Sequence, residues 1–137
     1  MEKTSVTCAI IIKNGMVLAA NRNETVRNAG QWEFPGGKPK DGETNEECVI
    51  RRVSEELGLN IRICEAMKSF EVKHSEGRVY EMHPYFSEVV DGRAVLVAHS
   101  RAEWFMPIQL MRLAWPSTDL PIIEEIFSRV MTTGKIL

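Results

Sequence analysis

The sequence predicts an α/β fold in which a mixed β-sheet packs between helices. Three observations carry that expectation. Near its start the chain holds two β-branched and apolar runs, TSVTCAIIIK and MVLAANR, joined by Asn14-Gly15, the strongest short-range signal for a hairpin. A capped helix follows, then several strand candidates, and the last is an amphipathic segment near the end. Strands, helix, strands, helix in that order suggest one sheet with helices against it.

Beyond the hairpin, NETVRNAG reads as a loop, QWEF as a short aromatic strand, and PGGKPKDGE as a loop of glycines, prolines and charges. Thr44 followed by Glu47 has the form of a capping box, so a helix begins there. It should run to about Leu57, with Gly58 as the left-handed stop. NIRICEAMKSF, EVKHS and RVYEMHPYFSEVV are the next strand candidates, with turns at Glu76-Gly77 and Asp91-Gly92. After Trp104, PIQLMRL is a short helix candidate and PSTDL a loop. PIIEEIFSRVM has the spacing of a final helix with Pro121 in its first turn.

The bulk numbers exclude several classes. A chain of 137 residues is expected to form a single domain over 1–137, long enough to bury roughly 68% of its unfolded surface. A net charge of −2 gives no basic field for nucleic acid. No apolar run approaches the roughly 20 residues of a membrane span, and MEKTSVTCAIII lacks the parts of a signal peptide. Cys8, Cys48 and Cys64 are odd in number, widely spaced and without a CxxC, which fits reduced packing thiols in a cytoplasm. Monomer and homodimer both stay open.

The chemistry concentrates between Gly37 and Leu59, in GKPKDGETNEECVIRRVSEELGL. On a helix, positions 52, 55 and 56 share one face, because three and four residues make one turn. Carboxylates at two or three of them converge on one hard divalent cation. Magnesium takes octahedral oxygen ligands, commonly one or two carboxylates with phosphate oxygens and water. The glycines of the preceding turn let backbone groups come close to the ion and to phosphate.

This segment resembles the Nudix box: Gly, five residues, Glu, seven residues, Arg-Glu, apolar, any, Glu-Glu, any, Gly, apolar. Gly37, Glu43, Arg51, Val53, Glu55, Glu56, Gly58 and Leu59 match, eight of the nine specified positions. WEFPGGK before the box, the early hairpin and TDLPIIEEI extend the likeness to the MutT-type branch and its cytidine-triphosphate-hydrolysing relatives. The resemblance implies a Nudix-type α/β/α sandwich, and Mg²⁺-dependent hydrolysis (Mn²⁺ as a substitute) of a nucleoside triphosphate to the monophosphate and pyrophosphate. It implies that Glu55, Glu56 and the Gly37 carbonyl bind the metal, while Arg51 and Glu43 brace the box. An ordinary helix-surface pair of Arg51 with Glu47 is the plainer alternative. By the same likeness Lys38 and Arg22 hold the triphosphate, with Gly36 and Gly37 beside it. Asp119 reads the base, or caps the last helix instead. A carboxylate only accepts hydrogen bonds, so it suits an exocyclic amine such as that of cytosine, with damaged bases as further candidates. Phe34 and Trp32 are the candidates to flank the base, one of them belonging to the core. His74, His83 and His99 have no metal-ligand spacing.

Two departures stand out. Where the family has a Glu that serves as metal ligand and, in MutT-type enzymes, as base, this chain has Arg52. Arginine offers no lone pair and does not lose its proton. Beside a positive charge the exchange turns an attraction on the order of 4 kcal/mol, at 4 Å and an effective dielectric of 20, into a similar repulsion. The guanidinium is expected to pair with Glu55 or Glu56 and take the vacant place. A second family Glu, six residues before the Trp that aligns with Trp104, falls on Ala98, with His99 or Glu103 as replacements. The expectation is therefore a Nudix pyrophosphohydrolase of low turnover, the alternative an inactive relative that binds nucleotides or acts as an interaction module.

Overall fold

The hairpin forms at the expected place. In a computed structural model, which describes residues 3–22, 30–73, 77–92 and 99–137, β1 (Lys3–Lys13) and β2 (Met16–Arg22) run antiparallel with Ile12 opposite Val17. Asn14 (φ 53) and Gly15 (φ 76) are both left-handed, as a tight two-residue hairpin turn requires. β1 is buried on both faces. Cys8 and Ile10 pack with Phe34, Ile122 and Ile126 on one side. Ala9 and Ile11 pack with Val49, Val53 and Leu57 on the other. That double burial is why the strand reads as a continuous apolar run rather than an alternation.

The helices follow from the same logic. α1 (Asn45–Leu57) starts at Thr44 with both halves of the capping box formed and stops at Gly58 (φ 68). Its buried stripe, Val49, Val53 and Leu57, covers one face of the sheet. α3 (Leu120–Thr133) covers the other face through Ile122, Ile123 and Ile126 and ends at Gly134 (φ 78). The layers are helix, sheet, helix.

The centre of the sheet is a parallel pair. β7 (Val79–Asp91) runs beside β1 from Lys3 opposite Val79 to Ile12 opposite Glu88. β5 (Asn60–Ala66) and β6 (Phe70–Lys73) both add to β7 antiparallel. β3 (Trp32–Glu33) and β8 (His99–Phe105) both pair with β2. The short β4 (Gly36–Gly37) lies against β1, with Gly37 opposite Thr7 and Gly36 opposite Cys8. This last pairing positions the site.

Several details differ from the sequence expectation. The stretch 60–70 breaks after Ala66, where the Met67 amide donates to the Pro84 carbonyl (2.9 Å), and Phe70 opens β6. β8 is not among the expected strands: its polar positions, Arg101 and Glu103, mask the inward Ala102 and Trp104. The short helix α2 covers only Pro107–Leu110, and the PSTDL loop contains a 3₁₀ turn at Ser117–Asp119. The Glu76 half of the Glu76-Gly77 turn lies outside the described residues, while Gly77 is left-handed (φ 74). Cys8 and Cys48 are buried and Cys64 is exposed, all as free thiols. Among the described residues no helix is long and apolar enough to cross a membrane.

Candidate functional site

Glu43 and Arg51 meet across the turn that leads into α1. Arg51 Nε donates to one Glu43 carboxylate oxygen (2.7 Å) and Nη2 to the other (2.9 Å). Nη1 donates to Glu55 (2.6 Å), one helical turn on. One guanidinium therefore ties the loop to the helix and holds Glu55 in place, which suits its rigid fork. The surface pair with Glu47 does not form. Glu47 instead accepts the Thr44 amide (2.9 Å) as half of the capping box.

The Arg51 fork, helped by the Lys40 amide, lowers the Glu43 carboxyl from 4.5 to about 2. Free in the unfolded chain, Glu43 takes up its proton near 4.5, whereas the folded chain resists until about 2. As the pH falls through that interval the unfolded state binds more protons, and stability declines. Glu43→Gln is expected to flatten the dependence of the melting temperature on pH between 4.5 and 2. A variant with the same slope as the parent would remove this ion pair from the acid sensitivity.

Arg52 points from the next position of α1 onto the glycine strand. Its Nε donates to the Gly36 carbonyl (3.1 Å), and its Nη2 lies 3.1 Å from Glu56 Oε1. The fit is close: a Cβ on Gly37 would come within 2.4 Å of Arg52 Nε. Of the two expected partners, Glu56 takes the guanidinium, while Glu55 belongs to Arg51.

The dication implied by the resemblance does not fit this arrangement. Glu55 is held by Arg51, and the Gly37 carbonyl accepts the Thr7 hydroxyl (2.9 Å). A guanidinium stands between the Gly36 carbonyl and Glu56. Among the described residues no three acidic, histidine or cysteine side chains gather as a metal site. Glu55 and the Gly37 carbonyl are engaged with protein groups, and the Arg52 guanidinium stands 3.1 Å from Glu56, where it repels a cation.

A cleft of about 500 Å³ opens beside these residues. Gly36, Gly37, Lys38, Arg52, Glu56 and Asp119 line it, together with Phe34, Tyr80 and Met82. Asp119 is buried (5% exposed), although it stands at the N-terminus of α3. Its side chain makes no capping hydrogen bond, so the capping alternative is not what is found. Phe34 is stacked on Trp115, with ring centroids 4.7 Å apart, and still lines the cleft. Trp32 packs edge-on against Phe105 (5.0 Å); both aromatic candidates belong to the core, and of the two only Phe34 also lines the cleft. The Lys38 ammonium reaches over the Tyr80 ring at 5.7 Å.

The other candidates separate from this cleft. The side chains of Arg22 and His99 lie outside what the structure describes, as do Ala98 and His74. Glu103 is exposed on β8 opposite Ala19. His83 pairs with Glu81 (2.7 Å) on β7. Sequence reasoning missed Thr7, Cys8, Tyr80 and Met82, which line the cleft because β1 and β7 pair. Their alternation fixes a face but not which loop will lie over it. Burial pushes the Cys8 thiol well up, aided by the charges of Asp119, Glu33 and Glu56, so it stays protonated and unreactive.

Comparison with known proteins agrees with this fold. A family model described as the NUDIX domain matches residues 1–126. The CTP pyrophosphohydrolase of Escherichia coli (strain K12) is 28% identical over 124 residues, 90% of this chain and 91% of that protein. The 8-oxo-dGTP diphosphatase of the same organism is 24% identical over 127 residues, 92% of this chain and 98% of that protein. The solution structure of the E. coli ORF135 protein superimposes with a TM-score of 0.82 at 29% identity, covering 96% of this chain and 93% of that one.

Proposed function

The chain belongs to the NUDIX family, and on that premise we propose that its cleft binds a nucleoside triphosphate and hydrolyses it slowly. Water adds to a phosphorus of the triphosphate, one P–O bridge breaks, and the products are the nucleoside monophosphate and pyrophosphate. The observation that carries this reading is the cleft itself. Lys38, Arg52, Phe34 and Asp119 all line it. The basic side chains suit phosphates, and the aromatic and acidic ones suit a base. Arg22 is carried as a further basic candidate for the triphosphate. Arg51 and Glu43 act by holding the loop and helix in register rather than by touching substrate.

Asp119 supports a base that presents an amine. Buried and acceptor-only when ionised, it matches the exocyclic amine of cytosine. The relative at 28% identity is a CTP pyrophosphohydrolase, and a cytosine nucleotide is the proposed substrate, ahead of an oxidised guanine nucleotide. Slow turnover follows from Arg52, which cannot accept a proton from water. A second reading, a nucleotide-binding protein without turnover, is favoured by the same guanidinium seated on the Gly36 carbonyl.

Pyrophosphate release from a panel of ribo- and deoxynucleoside triphosphates tests the proposal. The expected result is slow release that favours CTP or dCTP, and a preference reduced about tenfold or more in Asp119→Ala, the loss of one charge-assisted hydrogen bond. An unchanged preference takes Asp119 out of base reading. Tight binding with no release from any nucleotide selects the second reading.

A further inference from the structure

We propose that Arg52 is a built-in cation for the polyphosphate, so that nucleotide binding by this chain needs no divalent ion. The inference rests on the cleft being the nucleotide site and adds what holds the phosphates there. A dication in such a site bridges protein carboxylates to phosphate oxygens. Here a side chain that already carries positive charge lies against Glu56 and the Gly36 carbonyl.

The geometry supports that exchange. Arg52 lies along Gly36 and Gly37, anchored by Nε on the Gly36 carbonyl (3.1 Å) and by Nη2 beside Glu56 (3.1 Å). These contacts engage two of its three nitrogens; among the described residues no acceptor engages Nη1. The side chain is 38% exposed and lines the cleft. A guanidinium anchored on one edge and open on another is suited to forked hydrogen bonds with a phosphate. Lys38 also lines the cleft and adds a second positive charge. The absence of a side chain at Gly37 is what admits the guanidinium, since a Cβ there would meet Nε at 2.4 Å. A dication brought beside this group would be repelled by it and would compete with it for Glu56.

Calorimetric titration of the full chain with α,β-methylene-CTP, in EDTA and again in Mg²⁺, reads the consequence directly. The expected dissociation constant in EDTA is equal to that in Mg²⁺ within about threefold, or tighter. Arg52→Gln, which keeps the length and removes the charge, is expected to weaken binding in EDTA tenfold or more, and Arg52→Lys to recover part of it. Binding in Mg²⁺ that weakens tenfold or more in EDTA overturns the inference while leaving the nucleotide site intact. Binding in EDTA that Arg52→Gln leaves unchanged overturns it too. No binding under either condition overturns the nucleotide reading, and this inference with it.

Discussion

Arg52→Glu is expected to raise the rate of pyrophosphate release in Mg²⁺ by about 10²- to 10⁴-fold, the contribution typical of a positioned general base. The substitution acts twice. It removes a guanidinium from the Gly36 carbonyl and Glu56, and it puts a third carboxylate on the α1 face shared with Glu55 and Glu56. With the Arg52 guanidinium gone and Glu55 still held by Arg51, the new carboxylate and buried Glu56 repel one another unless a cation joins them. The variant should therefore melt at a lower temperature than the parent in EDTA and gain stability on adding Mg²⁺, as ligand linkage demands. The parent should gain little. Steady-state release at saturating nucleotide, paired with melting curves in both buffers, measures both effects. Equal turnover in the two proteins would refute the account of Arg52, whatever the melting curves show.

Gly36→Ala is expected to cost about 3 kcal/mol, the upper end of what overpacking costs. A Cβ at Gly36 would stand 2.0 Å from the Thr7 carbonyl oxygen and 2.7 Å from its carbon. Both atoms are backbone in the central strand β1, so no side-chain rotation relieves the contact. The pairing of Gly36 with Cys8 would open, and with it the wall that carries the Gly36 carbonyl to Arg52. Gly42→Ala provides the comparison. It is left-handed (φ 78) with nothing within 4 Å of an added Cβ, so its cost should be only the 1–2 kcal/mol or so of a left-handed alanine. Chemical denaturation of the two variants measures the difference. If Gly36→Ala proves as mild as Gly42→Ala, the close approach of β4 to β1 is not a source of stability.

Much of the frame is legible because its signals are local. Asn14-Gly15 specifies a tight turn whatever surrounds it, and Thr44 with Glu47 specifies a helix start through groups three residues apart. The box spacing by itself puts Arg52, Glu55 and Glu56 on neighbouring turns of one helix, which α1 bears out. Strand β8 is hidden because its charged positions look like loop until β2 is there to pair with them. Asp119 is ambiguous for a related reason. A carboxylate before a helix looks like a cap, and only the folded chain shows that Asp119 is buried and makes no side-chain capping bond.

The order of residues suffices for the hairpin, the capped helix, the final amphipathic helix and the identity of the charged groups near the box. It takes the packed molecule to establish that β1 runs parallel to β7, and that β4 lies against β1. The same holds for the ion pairs: Arg52 goes to Glu56 and the Gly36 carbonyl, while Arg51 takes Glu43 and Glu55. The division has a physical cause. Turn and cap preferences act between residues a few positions apart, whereas strand partners and ion pairs are chosen by which surfaces can be buried together. Two adjacent arginines of identical chemistry meet different partners because the helix turns them toward different neighbours.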